Sequence, residues 1–491
     1  MPVPAVTINK VATNVGVAPP SSAGVLAIVA GSASGPVNVP SIFSRTDLAL
    51  STFGSGPLPE YGAYVIDVAN VPFIACKPTQ AQAATFGTIV HTGVLGTSIP
   101  SAGATLPLEH YGVVITIVAG GTIGTAGITY TYSLDSGKTT SGIQALGTSS
   151  TLTIPNSGVS FTLAAGTLLA GDTWNCFTER ALATDADLPA TFTALQNTRL
   201  GWEGVLIDSL LTSSTVGIVD TWLSGLEAQG IFRFALLNTR FKNEPQPATE
   251  SEAAYATAMQ TLTQTSTSIR CCVGADGGHV GSAITGLLLK RPTALLVGAR
   301  AMNITIGRDP AYVADGPLPS VQISDQNGNP LDHDESLFPD LDNLRLMTLR
   351  SFSQGGPNGI YVTNANTIQA LGSDFPYLQH IRIMNRACTV AWGLLTTQLS
   401  RGVNKNPKAD PQTGAVYIFE PDAAAIESYV NGPLKSALKG EVSSVLFSLS
   451  RTDDLTQTPV VVHATVSIVA KAYVKQYAVT AEYSKVIQVA T

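Results

Sequence analysis

The sequence predicts a multi-domain α/β protein. It reads as a βαβ core with a parallel-type sheet, an inserted small all-β domain of sandwich or barrel type, an α+β C-terminal domain and extended arms at both ends. Three observations lead there. Apolar strand-length runs such as Gly24–Gly31 alternate with helical periodicities at intervals of ~30–40 residues, the spacing of βαβ units. Residues 81–180 break that rhythm with 19 Thr, 15 Gly and only six charged residues. Both chain ends carry β-branched residues in extended patterns.

Taken in order, residues 1–22 hold Pro2, Pro4, Pro19 and Pro20, which no helix accommodates, so they read as an extended arm. The core domain is assigned to 23–80 plus 181–358. Its first half has a buried-type strand at 24–31, a Gly35-Pro36 turn, a strand near 39–43, a helix 45–53 capped by Ser44 and stopped by Gly54, a helix at 61–69 and a strand at 71–76. The insert, 81–180, shows strands at 86–92, 111–119, 127–134, 150–155, 159–164 and 173–179. They are parted by turns at Asp135-Ser-Gly137, Pro155–Gly158 and Gly171-Asp172. After it, helix 187–198 leads to strand 203–208, helix 213–226 to strand 231–237, helix 250–264 to strand 269–274, and helix 281–290 to strand 294–297. Residues 301–358 are turn-rich. The C-terminal domain, 359–475, opens with strand 359–363 and a long helix, 374–401, ended by Gly402. A second helix from Pro421 carries Ile426, Val430, Leu434 and Leu438 and should break or kink at Gly432-Pro433. Strands 442–450 and 459–474 follow. The arm 476–491 alternates Val479, Ala481, Tyr483, Ile487 and Val489 against polar residues.

The composition excludes several classes. The chain has 491 residues, 27 basic and 34 acidic, and a net charge of −7. With no basic run, it is not a dedicated nucleic-acid binder. No apolar stretch approaches the ~18 residues of a membrane helix, and MPVPAVTINK lacks a signal-peptide layout. Cys76, Cys176, Cys271, Cys272 and Cys388 are odd in number and scattered. They read as buried reduced thiols, as in a protein made in a cytoplasm. Charged residues make up 12%, against about 25% in ordinary domains. Much of that deficit belongs to the insert, so low charge alone is not an argument for assembly.

The motifs that could carry chemistry mostly fail. Asp135-Ser-Gly-Lys-Thr-Thr140 has Tyr132 where a phosphate loop needs its first glycine, and reads as a hairpin turn. Gly274–Gly281 has the strand-to-helix context of a phosphate cradle but not the spacing, and a tight turn explains it. Asp332-His-Asp-Glu335 gathers four potential ligands in adjacent positions and reads as a solvated acidic loop. The residues therefore indicate no catalytic, cofactor or metal site, and no cofactor. The two ends are more informative. Each leaves backbone donors and acceptors for another strand, and strands donated head-to-tail build filaments or tubes. Val3, Val6, Ile8, Val479, Ala481, Tyr483, Ile487 and Val489 are the candidate inter-subunit contacts. Folding back of both ends onto their own subunit is the alternative.

Ala23–Pro40 with its following helix to Phe53-Gly54, and Gly359–Asn366 with Ser373-Asp374-Phe375 and the helix bearing Arg382, Asn385 and Arg386, resemble contractile phage tail sheath proteins. The insert, with Tyr130–Gly137 and Ala170–Trp174, is similar to β domains inserted in such sheaths. The resemblance implies a non-enzymatic structural subunit of a virion tail, forming stacked rings or a helical sheath around a tail tube protein. Baseplate and tail terminator proteins would be further partners. It also implies that the arms join neighbouring subunits, that 359–475 lies near the tube and that the insert faces outward. The equivalent sheath of a phage-derived bacteriocin or contractile secretion machine, and a virion receptor-binding protein, are the alternatives.

Overall fold

A computed structural model describes residues 24–475, apart from 94–95, 199, 245–248, 323–330, 353–357 and 370–372. The expected arms and all eight candidate contact residues lie outside the described residues.

The central sheet has six strands, in the order Cys271–Gly274, Phe234–Asn238, Gly204–Ile207, Leu26–Val29, Phe73–Cys76 and Ser41–Phe43. The first five are mutually parallel, and only Ser41–Phe43 runs antiparallel to its neighbour. Strands covered on both faces are apolar throughout, and Leu26–Val29 shows how the faces divide. Leu26 and Ile28 enter one apolar cluster, while Ala27 and Val29 enter the other. Cys272 and Cys271 split in the same way. Helices Thr46–Phe53, Pro57–Ala69 and Thr293–Asn303 cover the first face; Leu188–Asn197, Thr215–Glu227 and Glu252–Thr263 cover the second.

Three expectations are overturned between 274 and 303. Residues 281–290 are not a helix: Gly277–Gly281 and Leu288–Pro292 form an antiparallel hairpin with Gly286 at φ +72° in its loop. The Gly274–Gly281 segment therefore runs into a strand, which removes the context of a phosphate cradle. Residues 294–297 are not a strand but part of the helix Thr293–Asn303, in which every residue from Thr293 to Met302 is buried. The run Ala294–Val297 is by itself four apolar residues, too short to tell a buried strand from one turn of a buried helix. Gly298 allows this helix to lie close on the sheet, since a Cβ there would come within 2.7 Å of Leu236.

Residues in 81–180 form antiparallel strands around one core. Gly112–Ala119, Thr129–Ser133 and Thr173–Glu179 lie in one sheet, facing Pro100–Ala102, Thr151–Thr153 and Ser160–Leu163 in another. Val113, Ile115 and Ile117, like Trp174 and Cys176, point inward at every second position. The incoming and outgoing connections run side by side, with Gln82 and Leu182 exchanging backbone hydrogen bonds of 3.1 Å.

Helix Leu378–Thr396 is shorter than expected, beginning after Pro376. Helix Glu420–Ala437 continues through Gly432-Pro433, so the expected break does not occur; Ile426, Val430 and Leu434 hold both halves on one core. Strands Ser444–Leu449 and Ala464–Val469 form an antiparallel pair beside it. All five cysteines are free, and all but Cys388 are buried; burial pushes the Cys76 and Cys176 thiols up to about 12. Among the described residues no helix is long and apolar enough to cross a membrane.

Candidate assembly edge and buried charge clamps

The pair Ser444–Leu449 and Ala464–Val469 has two outer edges, and they are not equivalent. In the register Phe447↔Val466, the backbone groups of Val445, Phe447 and Leu449 face away from the partner strand. Helix Glu420–Ala437 covers that edge. Asn431 accepts from the Phe447 N–H and donates to its carbonyl, both at 2.8 Å, and Glu427 accepts from Leu449 N–H at 2.8 Å. On the other strand, Ala464, Val466 and Ile468 point their groups outward, where they meet no partner among the described residues. Val469, at the end of this edge strand, leaves over half its surface exposed. An unpaired edge of this kind is a template for an incoming strand.

Buried charges fasten the 81–180 sandwich to the sheet layer. Arg291, on the hairpin strand Leu288–Pro292, reaches Glu109 at 2.6 Å and Glu60 at 3.2 Å, all three nearly fully buried. Ser282 donates to both Glu60 oxygens. Burial raises the Glu60 carboxyl, although Arg291 and Ser282 oppose it. Arg180 binds Asp208 at 2.6 Å and approaches Glu109 at 3.6 Å. Leu289 closes the sandwich core from outside, and Leu288 N–H donates to Asp135. Asp135 also accepts from the Thr139 N–H and hydroxyl, so the 135–140 segment is the expected turn.

The 332–335 segment is corrected by the structure. His333, Asp334 and Glu335 are buried, not solvated. His333 holds Glu252 at 2.6 Å and Glu335 at 2.9 Å. Burial works against its charge, but these two hydrogen bonds outweigh it and push the imidazole up to about 9. Asp334 accepts from Ser336 and Ser351, while Asp332 meets Lys290, which also binds Asp276 at 2.5 Å. Adjacent residues point apart, as the extended chain requires, but every direction meets a partner.

The sandwich, the hairpin and the loop after Phe234–Asn238 also enclose a cavity of about 490 Å³, whose wall includes His110, Glu179, Arg180, Asp208 and Glu244. Burial and then Arg180 push His110 down to about 4, so its imidazole is neutral. No sequence signal marked this set, because His110, Glu179 and Glu244 are 69 and 65 residues apart.

Residues 3–366 match the family model described as DUF2586, N-terminal domain. The chain belongs to the DUF2586 family. Among curated proteins no relative matches this DUF2586 chain. In solved structures, it is similar to the sheath of an extracellular contractile injection system in the contracted state (10% identity, TM-score 0.50, 99% of this chain and 98% of that chain). It is also similar to sheath tail proteins from Listeria innocua (10% identity, TM-score 0.42, 91% of this chain and 95% of that chain) and Desulfitobacterium hafniense (10% identity, TM-score 0.44, 94% and 100%). The likeness to the injection-system sheath, at 10% identity, is one of fold and spans nearly the whole length of the DUF2586 chain.

Proposed function

We propose that this chain is a contractile sheath subunit that polymerises around an inner tube and contracts to drive the tube through a target envelope. The observation that carries this reading is the end-to-end likeness of fold to a sheath in the contracted state. The open edge at Ala464–Val469 supports it, since it leaves room for a strand from a neighbour. In this reading the arms 1–22 and 476–491 pass to neighbouring subunits. Val3, Val6 and Ile8, and Val479, Ala481, Tyr483, Ile487 and Val489, alternate into the joint sheet, and Ala464–Val469 is one receiving edge. The chain divides as 23–80 plus 181–358, 81–180 and 359–475, with the last nearest the tube and 81–180 outward. Tube, baseplate and terminator proteins are its partners, and it works in the tail of a phage or of a related injection machine.

The role is structural rather than catalytic. Contraction needs each subunit to prefer its contacts in the contracted lattice by only a small amount, because many subunits sum the difference. Covalent continuity through the arms would keep the lattice joined while the bodies rotate.

Electron microscopy of the purified full chain tests the proposal. Tubes or stacked rings are the expected result, and strictly monomeric particles at every salt concentration overturn it. Deleting 1–22 or 476–491 is expected to abolish tubes while circular dichroism still reports a folded subunit. Normal tubes from both deletions would overturn the arm exchange.

A further inference from the structure

One cluster is explained neither by folding nor by assembly. His110 Nδ1 lies 2.8 Å from Glu179 Oε2 and 3.1 Å from Glu244 Oε1, and the three donor atoms all lie within 4.8 Å of one another. They come from different places: His110 and Glu179 from the sandwich, Glu244 from the loop after Phe234–Asn238. Two carboxylates facing each other in a half-buried site need a proton or a cation between them. Arg180 is close but already engaged by Asp208 at 2.6 Å and by Glu109. A second, independent sign is Asp208, whose carboxylate is 7% exposed. Its Oδ2 is buried without a hydrogen-bond partner on the wall of the same cavity.

We propose that His110, Glu179 and Glu244 form a binding site for a divalent transition-metal cation, of which zinc is the type, clasping the 81–180 sandwich to the α/β layer. One nitrogen and two carboxylate oxygens are a borderline donor set that suits zinc better than calcium or magnesium. Two carboxylates 2.8 and 3.1 Å from one imidazole nitrogen, with all three donors within 4.8 Å of one another, can each reach a common ion at about 2.0–2.2 Å. The cavity offers the remaining coordination position to water. The second group of potential ligands, His333, Glu335 and Asp340, differs: there both ring nitrogens are already taken, Nδ1 by Glu252 and Nε2 by Glu335, whereas both carboxylates of the first group meet the same nitrogen of His110.

The test uses the full chain, freed of metal with a chelator and titrated with zinc chloride. Isothermal titration and elemental analysis are expected to give one zinc per chain, with a thermal midpoint that rises on addition. Glu244→Gln and His110→Gln should each weaken binding at least tenfold and remove the thermal response, with circular dichroism unchanged. Glu335→Gln should leave both intact. Absence of stoichiometric binding in the unmodified chain overturns the proposal. So does binding that survives Glu244→Gln and is lost in Glu335→Gln, which would place the ion at His333. If Glu244→Gln does not fold, Glu179→Gln decides by the same criteria.

Discussion

The 81–180 sandwich and the C-terminal helix-hairpin unit are attached to the same α/β layer in opposite ways. The sandwich is joined by two backbone crossings and held by charges sealed from water, Arg291 with Glu60 and Glu109, Arg180 with Asp208. The C-terminal unit is joined by a helix that belongs to both sides. Leu378 and Ile381 pack in the first sheet face, while Ile383, Ala387 and Ala391 pack against helix Glu420–Ala437. Beside that helix the fastening is thin: Arg382 to Glu203 at 2.5 Å, Glu441 to the N–H of Gly307, Tyr473 to its carbonyl, and Lys475 to Asp309. The contrast teaches that the sandwich is fastened by a cluster of several buried ions, whereas the C-terminal unit has a single buried ion pair, Arg382 with Glu203, besides its shared helix and a few part-exposed contacts.

Breaking each attachment should expose this difference. Arg291→Met leaves Glu60 buried without a counter-charge and Glu109 with only Arg180 at 3.6 Å, and is expected to cost about 3–5 kcal/mol in urea unfolding. Arg382→Met should cost less, about 1–3 kcal/mol, because Glu203 retains the Gly24 N–H at 2.7 Å and is partly wetted. A loss equal to that of Arg291→Met would erase the distinction. The His333 anchor should show in pH. Its imidazole is raised in the fold, so its contribution is full below the ordinary value of 6.5 and is lost as pH rises through about 9. The urea midpoint is therefore expected to fall between pH 6.5 and 9.5, and to fall less in His333→Gln. Val466→Pro is the mildest change. It removes an outward donor that no ladder bond uses, and should cost about 1 kcal/mol while preventing tube formation under the electron microscope.

Much of the fold was legible in the residues. The βαβ spacing located the parallel strands, and alternation in Gly112–Ala119 and Thr173–Glu179 located the sandwich. The misreadings share a cause. Ala294–Val297 is a four-residue apolar run that fits a buried strand as well as a turn of the buried helix it belongs to, and with a strand placed there, Leu288–Pro292 lost its identity as one. Pro433 was overruled by Val430 and Leu434, whose burial outweighs one missing hydrogen bond. The acidic reading of 332–335 failed because its partners, Glu252, Lys290 and Ser351, are remote in the chain. The open edge of Ala464–Val469 depends on Asn431 and Glu427 covering the opposite strand, a choice no local pattern contains.

Helix Leu378–Thr396 has 19 residues and is therefore about 28 Å long. With one end seated in the sheet layer and the other in the C-terminal core, it has the geometry of a crank. A turn of only about 10° at the seated end would swing the far end through roughly 5 Å, one helical pitch. Side chains packed against that far end would move from one set of neighbours to the next, so a modest rotation of the body would be read out as a discrete step at the opposite end.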